Sequence, residues 1–300
     1  MTFAFHPKRP FTEDFRAVGG EQIERAIAML EVQPEGVHEA IHDARKGFKR
    51  LRSLYRLVVA DAPLFQRQEN ARFRAMARNL STFRDAAALV ENAGYLRQHA
   101  ASEEQQLALD KVCSILASRR DRIAEERGDL DRKIEETIAN CRKAHAALAH
   151  VSFHDGRRKS ARRLAKGWRQ TLRRAARARA ACAASTDTAL FHDLRKSAQD
   201  YRMQLALLRE AWPSGMRAKR TEASDLVDVL GHLNDIAELM SLVDERPDLA
   251  GNSREHLLSN VAARQDALRR EALKRADAVF LDRPRRESRT LELLWLEAGR

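Results

Sequence analysis

The chain has 300 residues, enough for one large or two ordinary domains with a sizeable core. Only 12 Gly, 7 Pro and 6% aromatic residues in an Ala-, Leu- and Arg-rich sequence point to an all-α protein. A formal charge of +12 directs expectation toward polyanionic partners, and three cysteines without a Cys-x-x-Cys pair leave no disulfide framework and no zinc site. No run of about 18 apolar residues occurs, so the chain reads as a cytoplasmic protein without membrane spans.

Taken in order, Thr12 is expected to cap a first helix running to about Glu31, with Phe15, Val18, Ile23, Ile27 and Leu30 on its apolar side and Pro34-Glu35-Gly36 ending it. A second helix covers about Val37 to Ala60. Pro63 separates it from helical patterns at 64–79 and 82–99, joined near Leu80 to Asp85. Ser102 opens a charged helical stretch toward His150 with a break near Gly128. After Asp155-Gly156 the order repeats: a helix to about Ala184, one capped at Thr186 or Asp187 and running to Ala211, a break at Pro213-Ser214-Gly215, and helices to about Asp282. Residues 283–300 read as a short tail. Each half, 11–150 and 155–282, reads as a four-helix unit.

Two landmarks recur at an offset of 150 positions. His42, Arg45, Lys46, Lys49 and Arg52 return as His192, Arg195, Lys196, Gln199 and Arg202. Leu80-Ser81-Thr82-Phe83-Arg84-Asp85 returns as Leu230-Gly231-His232-Leu233-Asn234-Asp235, again 43 positions from His to Asp. Two landmarks in register mark an internal duplication.

At 100° per residue, Arg45, Lys46, Lys49, Arg52 and Arg56 fall with His38 and His42 in an arc of about 120°. Ala40, Ala44, Phe48, Leu51, Leu54, Tyr55 and Val58 take the opposite side. The second copy is backed in the same way by Leu194, Ala198, Tyr201, Leu205 and Leu208, with Gln199, Met203 and Ala206 where the first has Lys49, Ser53 and Arg56. Like charges three and four residues apart destabilise a helix, so two cationic strips imply a ligand. A third basic element precedes the second strip. Between Gly156 and Thr186 there is no acid, while Arg158, Arg162, Lys166, Arg169, Arg173 and Arg177 follow one side and Ala161, Ala165, Trp168, Leu172 and Ala176 the packed side.

Asp85 and Asp235 are expected to be structural, capping a helix junction or directing an Arg of the repeated helix. No second carboxylate repeats beside them, so no catalytic residue is assigned. His38 and His42, one turn apart, lack a third ligand, so no metal or other cofactor is expected.

These motifs resemble the CHAD family from about Phe11 to Phe280. The resemblance lies in Val37-His38-Glu39-Ala40-Ile41-His42-Asp43-Ala44-Arg45-Lys46, continued by Lys49-Arg50-Leu51-Arg52, then Glu69-Asn70, Phe73-Arg74, Leu80-Ser81 and Arg84-Asp85. In the second half it lies in Ser185-Thr186-Asp187, Leu190, His192, Leu194-Arg195-Lys196 and Gln204-Leu205. It implies one CHAD-like unit over 11–282: two four-helix bundles related by a pseudo-two-fold axis around a central basic cleft or pore. It also implies binding of inorganic polyphosphate rather than catalysis, with association to polyphosphate granules.

The ligand residues so implied are His42, Arg45, Lys46, Lys49, Arg52, His192, Arg195, Lys196 and Arg202, to which the basic faces themselves add Arg50, Arg56, Arg162, Lys166, Arg169 and Arg173. Arg45, Lys46 and Lys49 are expected to face Arg195, Lys196 and Arg202 across one cleft. The chemistry fits, because polyphosphate offers only oxygen acceptors and one charge per unit, which guanidinium and ammonium groups satisfy. Nucleic acid bound through its backbone is the alternative, although the basic faces lack the aromatic side chains used to stack bases. A polyphosphate-processing enzyme is the third reading; it would need acidic magnesium ligands or a Gly-rich phosphate loop, which the sequence does not show.

Overall fold

A computed structural model describes residues 3–98, 100, 102–125, 127–154, 156–245 and 254–300; several helical side chains, those of 82–88 among them, lie outside that description. The described residues form helices joined by turns, without a strand. The first half contains α1 (Phe11–Val32), α2 (Val37–Arg56), α3 (Pro63–Asn79), α4 (Ser81–Gln98), α5 (Glu103–Glu125) and α6 (Arg127–His150). The second contains α7 (Arg157–Ala183), α8 (Thr188–Leu207), α9 (Pro213–Glu245), α10 (Arg254–Val279) and α11 (Pro284–Ala298).

Local chemistry sets the boundaries. Pro63, Pro213 and Pro284 each open a helix, where the missing amide hydrogen has no partner to lose. Asp187 caps α8 by accepting from the Ala189 amide at 2.9 Å, as the sequence suggested. Thr12, in contrast, does not cap α1, which begins at Phe11. Its hydroxyl is exchanged with the backbone of Phe153, donating to the carbonyl at 3.3 Å and accepting from the amide at 3.1 Å, and so joins the start of α1 to the segment after α6.

The apolar periodicity decides the packing. Helices α1, α2, α3 and α6 close one ring of neighbours, and α7, α8, α9 and α10 close a second in the same cyclic order. The α4–α5 hairpin stands outside the first ring and reaches α9 and α10. Between the rings α2 lies on α8, with the Ser53 hydroxyl donating to the Asp200 carbonyl at 3.1 Å and the Gln204 amide donating to the Ser53 carbonyl at 3.1 Å. Both bonds are buried, which fixes the register of the two basic helices. Gly167 on α7 permits a close approach between the halves: a Cβ there would stand 2.2 Å from the Leu57 carbonyl oxygen, so any side chain would force the helices apart.

The chain ends correct the expected boundaries. Residues 284–298 are not a tail but α11, which packs on α7 and buries Leu291 and Trp295. Phe5 is fully buried, donates its amide to the Leu207 carbonyl at 2.8 Å, and meets the Trp295 ring edge-on at 6.4 Å. The packed unit therefore extends beyond 11–282 in both directions. The reason is periodicity: Leu291, Leu294 and Trp295 share one helix face, but four arginines between 283 and 289 conceal it in an average over composition.

No helix among the described residues is long and apolar enough to cross a membrane. Cys141 and Cys182 are buried and free, and burial pushes the Cys141 thiol up to about 12.

Candidate anion-binding cleft

Helices α2, α7 and α8 enclose a cleft of about 800 Å³. Helix α2 contributes Arg45, Lys49, Arg52 and Arg56, α8 contributes His192, Arg195 and Lys196, α7 contributes Arg174 and Arg177, and α3 adds Arg74. The acids on its wall are Asp193 and Asp200. A second groove of about 370 Å³ shares Arg56, Arg174 and Arg177 with it and adds Arg173.

Several cations are held from behind, which aims them. Arg45 donates to the Ala77 carbonyl, and Arg52 donates through Nε to Asn70 Oδ1 at 2.9 Å, so α3 orients two guanidiniums of α2. Helix α9 does the same for α8. Asp235 lies 4.0 Å from Arg195, Asn234 lies 2.6 Å from His192 Nδ1, and Gly231 brings the α9 backbone close beside the Arg195 guanidinium. Burial raises the Asp235 carboxyl, opposed by the charge of Arg195.

Asp200 is the electrostatic pivot. Its carboxylate accepts from Arg56 at 2.7 Å and from Arg174, joining α2, α7 and α8 through one buried acid. Even so, positive charge is in excess. Burial, reinforced by Arg56, Arg74 and Arg174, pushes Arg52 down to about 10, still cationic at neutral pH. Burial also lowers Arg56, with Asp200 pulling it back. An anion entering the cleft relieves both the repulsion and part of the desolvation.

The expected residues thus divide. Arg45, Lys49, Arg52 and Arg56 do face His192, Arg195 and Lys196 across one cleft. Lys46 and Arg50 instead line a small pocket between α1 and α2 with Gln22, Arg25 and Asp43. Arg202 stands in the field of Asp228 and Arg220 of α9, and His42 is not on the cleft wall. The expected facing of Lys46 with Arg202 across this cleft is therefore not what the fold builds. On α7, Arg173 reaches the adjoining groove, whereas Arg162, Lys166 and Arg169 line neither space, and Arg162 lies 3.8 Å from Glu292 of α11. The side chain of Asp85 lies outside the described residues.

The physical reason is rotational. Helix α8 seats on Ser53, near the middle of the α2 strip, so one flank of the strip turns into the cleft and the other toward α1. Helix α7 likewise presents the flank of its basic stripe, bringing in Arg174 and Arg177 and turning Arg162 and Lys166 outward. Arg163, inside the same basic run, is a core residue: 2.6 Å from Asp61 and stacked 4.8 Å over both Phe11 and Phe153.

Sequence reasoning missed Arg74, Arg174 and Asp200. Asp200 left a signal, since the offset places it opposite Arg50, an acid where the first copy has a cation. Arg174 lies one helical turn before Arg177 of the basic stripe, itself not among the ligand residues expected, but only its buried partner distinguishes Arg174 from its neighbours.

The family model of the CHAD domain matches residues 21–244. Among solved structures, the crystal structure of the CHAD domain from the plant Ricinus communis is similar, with a TM-score of 0.64 and 20% identity over 94% of this chain and 95% of that one. A search of curated proteins gives no match. With both basic helices inside the matched span and the fold shared along nearly the whole chain, the protein belongs to the CHAD family.

Proposed function

We propose that this protein binds inorganic polyphosphate in the cleft between α2, α7 and α8 and does not turn it over. The observation that carries the reading is the convergence of cationic side chains from four helices on one wall system whose two acids are already engaged. Asp200 holds Arg56 and Arg174, and Asp193 lies 3.0 Å from Lys196. Carboxylates committed to cations are poorly disposed to gather magnesium for phosphoryl chemistry. The wall residues include no Phe, Tyr or Trp on which a base could stack, which favours a ligand made of phosphate alone. Some members of the family bind polyphosphate, in keeping with this assignment. The same chemistry would bring the protein to polyphosphate granules in the cytoplasm.

The test is competition on the full-length chain. Length-defined polyphosphate, single-stranded DNA and duplex DNA are titrated at matched charge and salt, with free phosphate measured in the presence of magnesium. Tighter binding of polyphosphate without phosphate release is expected. Equal or tighter nucleic-acid binding would move the ligand class, and steady phosphate release would make the protein an enzyme.

A further inference from the structure

The signature following the second basic helix carries two polar side chains with different tasks. Asp235 approaches Arg195, while Asn234 addresses His192. Asn234 Oδ1 lies 2.6 Å from His192 Nδ1, and Asn234 Nδ2 donates to Glu238 Oε1 at 2.6 Å. An ionised carboxylate has only acceptor atoms, so Glu238 must take the NH2 end of the amide and leave its carbonyl toward the ring. A carbonyl oxygen accepts and cannot donate. Nδ1 of His192 therefore carries the hydrogen, and in the neutral ring Nε2 is left with a lone pair.

That tautomer is a poor partner for the proposed ligand. The bridging and exposed oxygens of a polyphosphate interior are acceptors, and a lone pair on Nε2 repels them. The imidazolium, with a hydrogen on each nitrogen, donates to Asn234 and to phosphate together. We propose that Asn234 and Glu238 are positioning residues that lock His192 as the Nδ1–H tautomer, so that it engages phosphate only after taking up a second proton. This rests on the polyphosphate reading above and gives that site a proton-linked affinity.

The surrounding charges set the sign. The acids near the ring are Asp193 on its own helix, held by Lys196, and Glu238 and Asp235 on α9, held by Asn234 and drawn to Arg195. The cations sharing the cleft with it are Arg195 and Lys196 of α8, Arg174 and Arg177 of α7, and Arg45, Lys49, Arg52 and Arg56 of α2, with Arg74 of α3 behind them. A bound polyanion neutralises them and supplies the acceptor for Nε2–H. Ligand thus raises the ring's affinity for a proton, and by reciprocity protonation raises affinity for ligand, so binding weakens as pH rises through the imidazole range.

The sequence of the first copy does not repeat the Asn234–Glu238 pair, having Arg84, a residue type with no acceptor, and Ala88 at the equivalent positions.

Calorimetric titration of the full chain with long-chain polyphosphate at pH 7.5, in two buffers of different ionisation enthalpy, counts the protons taken up. The parent is expected to take up a measurable fraction of a proton, and His192→Gln to lose that fraction. Glu238→Ala frees Asn234 to turn its NH2 end to the ring, which lets neutral His192 carry its hydrogen on Nε2. The pH dependence of affinity should then flatten with His192 still present, a change that loss of packing alone would not produce. Zero uptake by the parent, undiminished uptake by His192→Gln, or an unchanged pH profile in Glu238→Ala overturns the lock. Absence of binding at every pH overturns the polyphosphate reading itself.

Discussion

Replacing Asp200 by Asn keeps the volume and the backbone acceptor for Ser53 while removing the one charge that joins α2, α7 and α8. The parent places a carboxylate only 9% exposed against Arg56 at 21% and Arg174 at 35%. Breaking a buried pair on one side leaves uncompensated charge and costs about 3–5 kcal/mol. The lower figure, about 3 kcal/mol, applies here because Arg174 is a third exposed and solvent screens it. At roughly 2 °C per kcal/mol for a chain of this size, the melting temperature should fall by about 6 °C. Polyphosphate should reverse much of that loss, since phosphate oxygens replace the missing carboxylate and the cleft has one negative charge fewer. Thermal unfolding with and without saturating polyphosphate is the assay: a lower starting temperature and a larger ligand-induced rise than in the parent are expected. An unchanged melting temperature without ligand, or a smaller rise with it, would refute the role given to Asp200.

The cleft wall can be separated from its surroundings by Lys196→Ala and Arg177→Ala, which should weaken polyphosphate binding severalfold with little change in melting temperature. Lys46→Ala, in the pocket toward α1, should weaken it much less; equal losses in direct titration would contradict the division of the α2 strip. Leu51→Ala, at a fully buried position of the same helix, should cost about 2–5 kcal/mol in denaturant unfolding while the folded fraction still binds. Trp295→Ala should cost about 3–5 kcal/mol, and a loss near zero would show that α11 is dispensable. Affinity should decline steeply and nearly linearly with salt on logarithmic axes, through release of counterions from the polyanion; a flat dependence would point to a small specific ligand.

The periodicity of α2 and α8 places Phe48, Leu51 and Tyr55, or Leu194, Ala198 and Tyr201, on a buried face whatever the neighbours are, because 3.6 residues per turn is a local rule. The helical fold class, the duplication and the cationic strips follow from the sequence on the same footing. The edges do not. Composition read 283–300 as a tail, since a helix this short is held by its packing and the surface that receives α11 is built by α7 and the turn at Arg209–Ala211.

The division of the candidate site was equally out of local reach. A helical wheel places Arg45, Lys46 and Lys49 on one strip but cannot say which part of the strip a second helix will cover. That was decided by the seating of α8 on Ser53, which sends Arg45, Lys49 and Arg52 into the cleft and leaves Lys46 and Arg50 beyond it. Asp200 drew Arg174 into the wall in the same way, through a pairing across 26 positions. By itself the sequence determined which residues were charged and which helix faces would be dry, since both depend on residue type and spacing along the chain. Only the tertiary structure decided which charges share a cavity, because that depends on the rotation and register of helices whose contacts lie far apart in sequence.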